Sequence, residues 1–211
     1  MTTESTSCVK KSRGRPKVFD REAALDKAMT LFWQHGYEAT SLSDLVEATG
    51  AKAPTLYAEF TNKEGLFRAV LDRYIARFAA KHEAQLFCEE KSVEAALGDY
   101  FTAVATCFTS KDTPAGCFMI NTSATLAAAS RDIAHTVKSR HAMQEQTLTQ
   151  FLRQRQERGE IPAHCNVQNL AEYLSCILQG MSISAREGAS FDKLMQITHT
   201  ILRLWPELLK A

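Results

Sequence analysis

"GAKAPTLYAEFTNKEGL", residues Gly50 to Leu66, is too polar along its middle to be core and too apolar to be a loop. Pro54 suits the first turn of a helix, where its missing N–H costs no intrahelical bond. Leu56 and Phe60, four residues apart, form one inward face, which leaves Ala53, Pro54 and Tyr57 facing largely outward. The pattern predicts a helix of barely two turns. Asn62 or Lys63 then starts a longer helix that carries Leu66, Val70, Tyr74 and Phe78 at steps of four.

Upstream, Asp20 is placed to cap a helix whose apolar positions Leu25, Ala28, Met29 and Phe32 fall at helical spacing, with His35 and Gly36 closing it. "SLSD" follows, where Ser41 and Asp44 make a capping-box pair ahead of Leu45 and Val46. Gly50 ends that helix about two turns later. The first 85 residues therefore read as three short helices and a long connector, with no strand signal. The second and third helices, joined at Gly50, have the spacing of a helix-turn-helix. Small residues at the start of the third allow close approach to base edges. Lys52, Thr55 and Tyr57 are able to hydrogen-bond phosphates, and Lys63 stands beside the free N–H groups of a helix N-terminus. A plain three-helix bundle with Tyr57 as a surface aromatic would share this pattern.

The preceding arm favours nucleic acid. From Val9 to Arg21 there are six basic residues against one acid, Asp20. "SRGRPK" (Ser12 to Lys17) has a glycine, a proline and no apolar side chain that would anchor it. Arg13, Arg15 and Lys17 are slim and charged enough to enter a narrow A·T-rich minor groove, where negative potential is enhanced. Net charge over all 211 residues is only +1, so the distribution of charge carries this argument and its total does not. No apolar run of about 18 residues marks a membrane span, and the polar N-terminus is not a signal peptide. Six scattered cysteines without a CxxC pair read as a reduced, cytoplasmic chain and speak against a structural zinc site.

The segment from Phe19 to Leu66 strongly resembles the DNA-binding domain of the TetR family of bacterial transcriptional regulators. The matching features are "HGYEATSL", "LVEATG", "TLYAEF" and "NKEGL". The resemblance implies an all-α homodimer with two recognition helices in successive major grooves of a palindromic operator. Residues 1–18 are then a basic arm, 19–65 the helix-turn-helix domain, and 66–211 a helical effector-binding and dimerisation domain. Lys52, Ala53, Pro54, Thr55 and Tyr57 belong to the recognition helix, with Thr55, Tyr57 and Lys63 in phosphate roles. Family members often have serine where Lys52 stands. Lysine cannot accept the capping bond, so the helix start leans on Pro54.

Beyond Phe67 the chain is again helical. Ser92 suits a cap for a helix through Val104 and Phe108, and "TPAGCFMIN" begins with a Pro/Gly break. A polar helix through Ile133, Val137 and His141 runs to Arg158, where Gly159 stops it. Two apolar-faced helices end the chain, carrying Leu170, Leu174, Ile177, Leu178 and Met181, then Leu194, Ile197, Ile201, Leu204 and Trp205. Periodicity requires only that these faces be buried. The family resemblance makes them the dimer interface, through Leu174, Ile177, Leu178, Ile201 and Trp205.

The effector is read from soft ligands. Cys117, Met119, His141, Cys176 and Met181 supply thiolate, thioether and imidazole donors, a set that favours Cu(I). Nearly the whole chain, including "GCFMIN", "SRHAMQE" and "QGMSISAREGAS", is also similar to a copper-responsive repressor of the same family. That similarity implies release from DNA by copper and carries no ligand set. No cofactor is required on this reading. Cys and Met are equally the ordinary fillers of a core, and "PAGCFMIN" recurs in family members where it borders the ligand pocket. An apolar small molecule or a thiol oxidant is therefore the alternative effector. A thiol enzyme pairing Cys117 with His135 or His141 is the remote one, since no local motif orients such a dyad.

Overall fold

A computed structural model describes residues 19–123 and 131–210, and among them every regular element is a helix. The order is α1 (Arg21–Ala39), α2 (Leu42–Thr49), α3 (Ala53–Phe60), α4 (Lys63–Tyr74), one turn of π-helix (Ile75–Ala79) and α5 (Ala80–Glu83). Then come α6 (Val93–Phe108), α7 (Phe118–Ser123), α8 (Arg131–Glu157), α9 (Val167–Arg186) and α10 (Phe191–Leu208). The all-α expectation holds, with a helix-turn-helix region at the N-terminal end and an all-helical C-terminal region.

Local chemistry sets the first elements. Asp20 accepts the Ala23 N–H at α1, and Ser41 and Asp44 form the reciprocal box at α2. Gly36 leaves the helical region at φ 82°, so the regular part of α1 ends where the sequence places it, and three further residues follow the kink. Leu25, Ala28, Met29 and Phe32 of α1 meet Leu45, Leu56, Phe60, Leu66, Phe67 and Val70 in one buried cluster. α4 lies along α1. Arg73 and Arg77 of α4 and the π turn close over Asp26, with Arg73 Nε 2.7 Å from Asp26 Oδ1, while Arg73 also meets Glu22.

The continuous helix expected from Leu66, Val70, Tyr74 and Phe78 is interrupted by the π turn. On an α-helix each step of four overshoots a full revolution by roughly 40°. One wider turn absorbs that drift and keeps Phe78 against Trp33, with ring centres 5.8 Å apart.

In the C-terminal region α8 lies against α9 and α6 against α10. Arg155 is buried near the end of α8, where it donates to the carbonyls of Lys91 and Cys88 and pairs with Glu160, fixing the 86–92 loop. α7 is the wedge between the two regions, since it touches α1, α8 and α9. Its entry depends on Gly116, at φ 79°, where a Cβ would stand 2.7 Å from the Ser182 carbonyl oxygen. The next residue, Cys117, donates its N–H to Ser182 Oγ at 2.8 Å, which pins the start of α7 to α9.

Candidate nucleic-acid interface and effector site

The turn after α2 is made by Gly50 in the left-handed region, and its N–H donates to the Val46 carbonyl. α3 then opens at Lys52, whose side chain makes no capping bond, with Pro54 in the first turn as expected. Leu56 and Phe60 are buried, whereas Tyr57 is 43% exposed and Lys52 and Pro54 lie on the surface. Ala53 and Thr55 are half-buried. α3 thus presents its starting residues and Tyr57 to solvent and anchors itself by two side chains.

Asn62 caps α4 by accepting the Gly65 N–H at 2.8 Å. A Cβ at Gly65 would lie 2.0 Å from the Phe60 carbonyl oxygen, so only glycine lets α4 begin this close to the end of α3. Lys63, in the first turn of α4, holds its ammonium 4.4 Å from the centre of the Tyr37 ring. Partial burial lowers its pKa, against the raising pull of Glu38 and Asp44. Tyr37 had no signal in the sequence, because it touches Lys63 only after α1 and α4 meet. Arg13, Arg15 and Lys17 lie outside the described residues.

The candidate effector residues divide. Cys117 and Met119 are both buried and line one small enclosed space of about 20 Å³ with Tyr74, Tyr100, His82 and Glu83. The Tyr74 hydroxyl donates to Cys117 Sγ at 3.3 Å. Burial pushes the Cys117 thiol up, and pushes the Cys107 thiol up to about 12. His141 of α8 reaches the same region: its ring bonds to the Met119 backbone, and burial lowers its pKa. Its Nε2 is buried without a partner. With one nitrogen held by the Met119 backbone the His141 ring is fixed, and it is not one of the side chains that line the small space beside Cys117. Cys176 is exposed on α9 and does not join this group, and Met181 is buried in the general core.

Among the described residues no three His, Cys, Asp or Glu side chains stand together as a finished metal site. The donors at hand, one thiol and one thioether with imidazoles nearby, suit a soft ion that accepts two or three ligands. His82, which lines the same space, was not among the histidines singled out in the sequence.

The dimer expectation needs a correction of face. Leu174, Leu178, Ile201 and Trp205 are all at most 2% exposed within the single chain, so they hold the protomer together and are not available to a partner. The outward side of α9 and α10 carries Tyr173, Ile183 and Leu204, with a shallow groove of about 330 Å³ between Ile177 and Ile197. Ile177 alone of the five stays on an accessible edge. No helix among the described residues is long and apolar enough to cross a membrane.

Comparison with known proteins agrees with this geometry. Residues 24–70 match the family described as bacterial regulatory proteins, tetR family, and residues 94–199 match the tetracyclin repressor-like C-terminal domain. The chain is 82% identical over 210 residues to the HTH-type transcriptional repressor ComR of Escherichia coli (strain K12), covering all of both proteins. It is 30% identical to the HTH-type transcriptional repressor BdcR of the same organism, over 86% of each chain. Among solved structures, a cysteine-substituted form of the TetR family regulator CifR complexed with 26bp operator DNA superposes with a TM-score of 0.86. That match has 29% identity and covers 91% of this chain and all of the other. The chain belongs to the TetR family of bacterial transcriptional regulators.

Proposed function

We propose that the protein is a transcriptional repressor that binds a palindromic operator as a homodimer and is released from it by copper. The repressor reading is supported by the 82% identity to ComR along the full chain and by the likeness to CifR on operator DNA. α3 is the recognition helix: Lys52, Ala53 and Pro54 approach base edges, while Thr55, Tyr57 and Lys63 meet phosphates. The arm over residues 1–18 follows the adjacent minor groove through Arg13, Arg15 and Lys17. Residues 19–65 form the DNA-binding domain and 66–211 the effector and dimerisation domain.

For the effector, one observation carries the choice. The space beside Cys117 and Met119 is about 20 Å³, whereas drug-sized ligands occupy pockets of roughly 300–1,000 Å³. A bare ion suits it and an apolar organic molecule does not. An oxidant fits poorly as well, because it attacks the thiolate and burial keeps Cys117 protonated. A soft cation has to displace the same proton, so its binding weakens as pH falls, but it replaces the S–H bond with a metal–sulfur bond and needs no oxidation of Cys117. A thiol enzyme has no support here, since the Cys117 thiol faces the Tyr74 hydroxyl and family membership makes the chain a regulator.

Without effector the dimer holds its recognition helices about one DNA turn apart, roughly 34–36 Å. Copper favours a spacing that does not fit both grooves, and it shifts the equilibrium only by its differential affinity for the two states. The test is fluorescence anisotropy of the purified protein on DNA from beside its own gene, with Cu(I) titrated under reducing conditions and Zn(II) as control. Release at about one Cu(I) per subunit, and not by zinc, is expected. DNA binding that ignores Cu(I) overturns the copper reading and leaves the repressor reading standing.

A further inference from the structure

The enclosed space beside Cys117 is bordered on one side by α7 and on the other by α5, the short helix that follows the π turn at the end of α4. From α7 come Cys117, at its entry, and Met119; from α5 comes His82. His82 is half-buried, and its pKa is lowered by that burial and by Lys81. The His141 ring nearby is fixed on the Met119 backbone. One thioether, one thiol and one imidazole from two separate elements are what a three-coordinate Cu(I) accepts.

Cys117, His82 and Glu83 all border this space, yet among the described residues they do not stand together as a ready metal site. Resting on the copper reading, we infer that His82 is the mobile third ligand: Cu(I) seats on Cys117 and Met119 and draws His82, and α5 with it, toward α7. The Cu–S bond to Cys117 replaces the thiol proton, which passes to solvent. The site is therefore completed only in a conformation that differs from the present one. This is the condition for an effector to move an equilibrium at all.

The neighbouring elements determine what moves. α7 is pinned to α9 through the Cys117 N–H and Ser182 Oγ, so it is the fixed jaw. α5 is joined to α4 through Ile75–Ala79, a π turn, which can tighten to α-helical winding and turn the helix on one side relative to the other. Drawing α5 inward thus acts on α4, whose first turn carries Lys63 and whose start abuts α3. In this account His82 couples the ion to the DNA-binding region, while Cys117 and Met119 provide its seat.

The experiment compares the full-length protein with H82A, H82C and H141A. Cu(I) affinity is read by competition with a chromophoric Cu(I) chelator, and release is read by anisotropy on operator DNA. Thermal melts confirm that each variant is folded. H82A is expected to bind Cu(I) at least ten-fold more weakly and to need at least ten-fold more free Cu(I) for release. H82C restores a soft ligand at that position and is expected to recover both. H141A, which lacks only the ring held by Met119, is expected to change affinity less than H82A does. Wild-type affinity and wild-type release in H82A would overturn the assignment. If wild-type protein stays on DNA with Cu(I) bound while H82A still weakens that binding, the ligand assignment stands and release by copper falls.

Discussion

The Lys63 ammonium rests against the Tyr37 ring 4.4 Å away, in a partly buried site beside a helix N-terminus. The ring helps to hold it in place, and this suits it to meet a phosphate at little cost in side-chain freedom. Lys63→Ala is expected to weaken binding about equally on all operator sequences and to lower the magnitude of the salt slope by about one. Tyr57→Phe keeps the exposed ring and removes one hydroxyl, so a loss of about 1 kcal/mol is expected. Anisotropy over a salt series checks both; unchanged affinity and slope would remove the phosphate roles. The caps at Asp20 and Ser41 were legible in the sequence because cap and helix lie within a few residues of each other. Tyr37 under Lys63, and the place of His82 on the space that Cys117 also lines, were not, since each joins residues that spacing along the chain leaves unrelated.

Among the helices, α9 and α10 show why periodicity located the apolar faces and misassigned their use. An element that packs inside its own protomer and against a second copy carries an apolar stripe wider than one interface needs, and the period does not say which edge serves which. Leu174 and Leu178 face inward, whereas Tyr173 and Ile177 border the groove. Leu174→Ala is therefore expected to cost about 2–5 kcal/mol of folding stability. Ile177→Asp should leave the fold standing and shift the dimer toward monomer. Equilibrium sedimentation beside thermal melts separates the two; a monomeric, fully stable Leu174→Ala would reverse the assignment. The join of α1 to α4 adds an ionic contact to its buried apolar one. Hydrogen bonds from Arg73, its charge and that of Arg77 lower the Asp26 pKa against a smaller opposing effect of burial. A lowered carboxyl pKa gives stability that is present above the ordinary value and lost as pH falls through the lowered one. With Asp26 41% exposed, Asp26→Asn is expected to cost only about 0.5 kcal/mol at pH 7. That difference should vanish on acidification, and melts between neutral pH and pH 2 read it.

Between the proposed effector site and the proposed DNA-facing residues the protein is continuous in aromatic rings. The Tyr74 hydroxyl touches Cys117; the Tyr74 ring meets Phe118 at 5.4 Å, Phe118 meets Phe67 at 5.6 Å, and Phe67 meets Tyr37 at 5.2 Å, where Lys63 rests. Adjacency alone is no proof of coupling; the physical requirement is that both ligands bias the same two arrangements. If they do, linkage is reciprocal: the factor by which Cu(I) lowers operator affinity equals the factor by which operator lowers Cu(I) affinity. Phe118 sits at the centre of this route, fully buried and away from the surface of α3. Phe118→Leu leaves a smaller side chain among Trp33, Phe67 and Tyr74, so the shift of α4 against α7 is cushioned before it reaches Tyr37. This variant is expected to bind operator and Cu(I) separately with affinities near wild type, yet to show a smaller factor in both directions of the cycle. Measuring all four legs, Cu(I) with and without operator and operator with and without Cu(I), decides it. A wild-type factor in Phe118→Leu would mean that the rings merely fill the core and that the turning of α4 driven through the π turn reaches Lys63 without them.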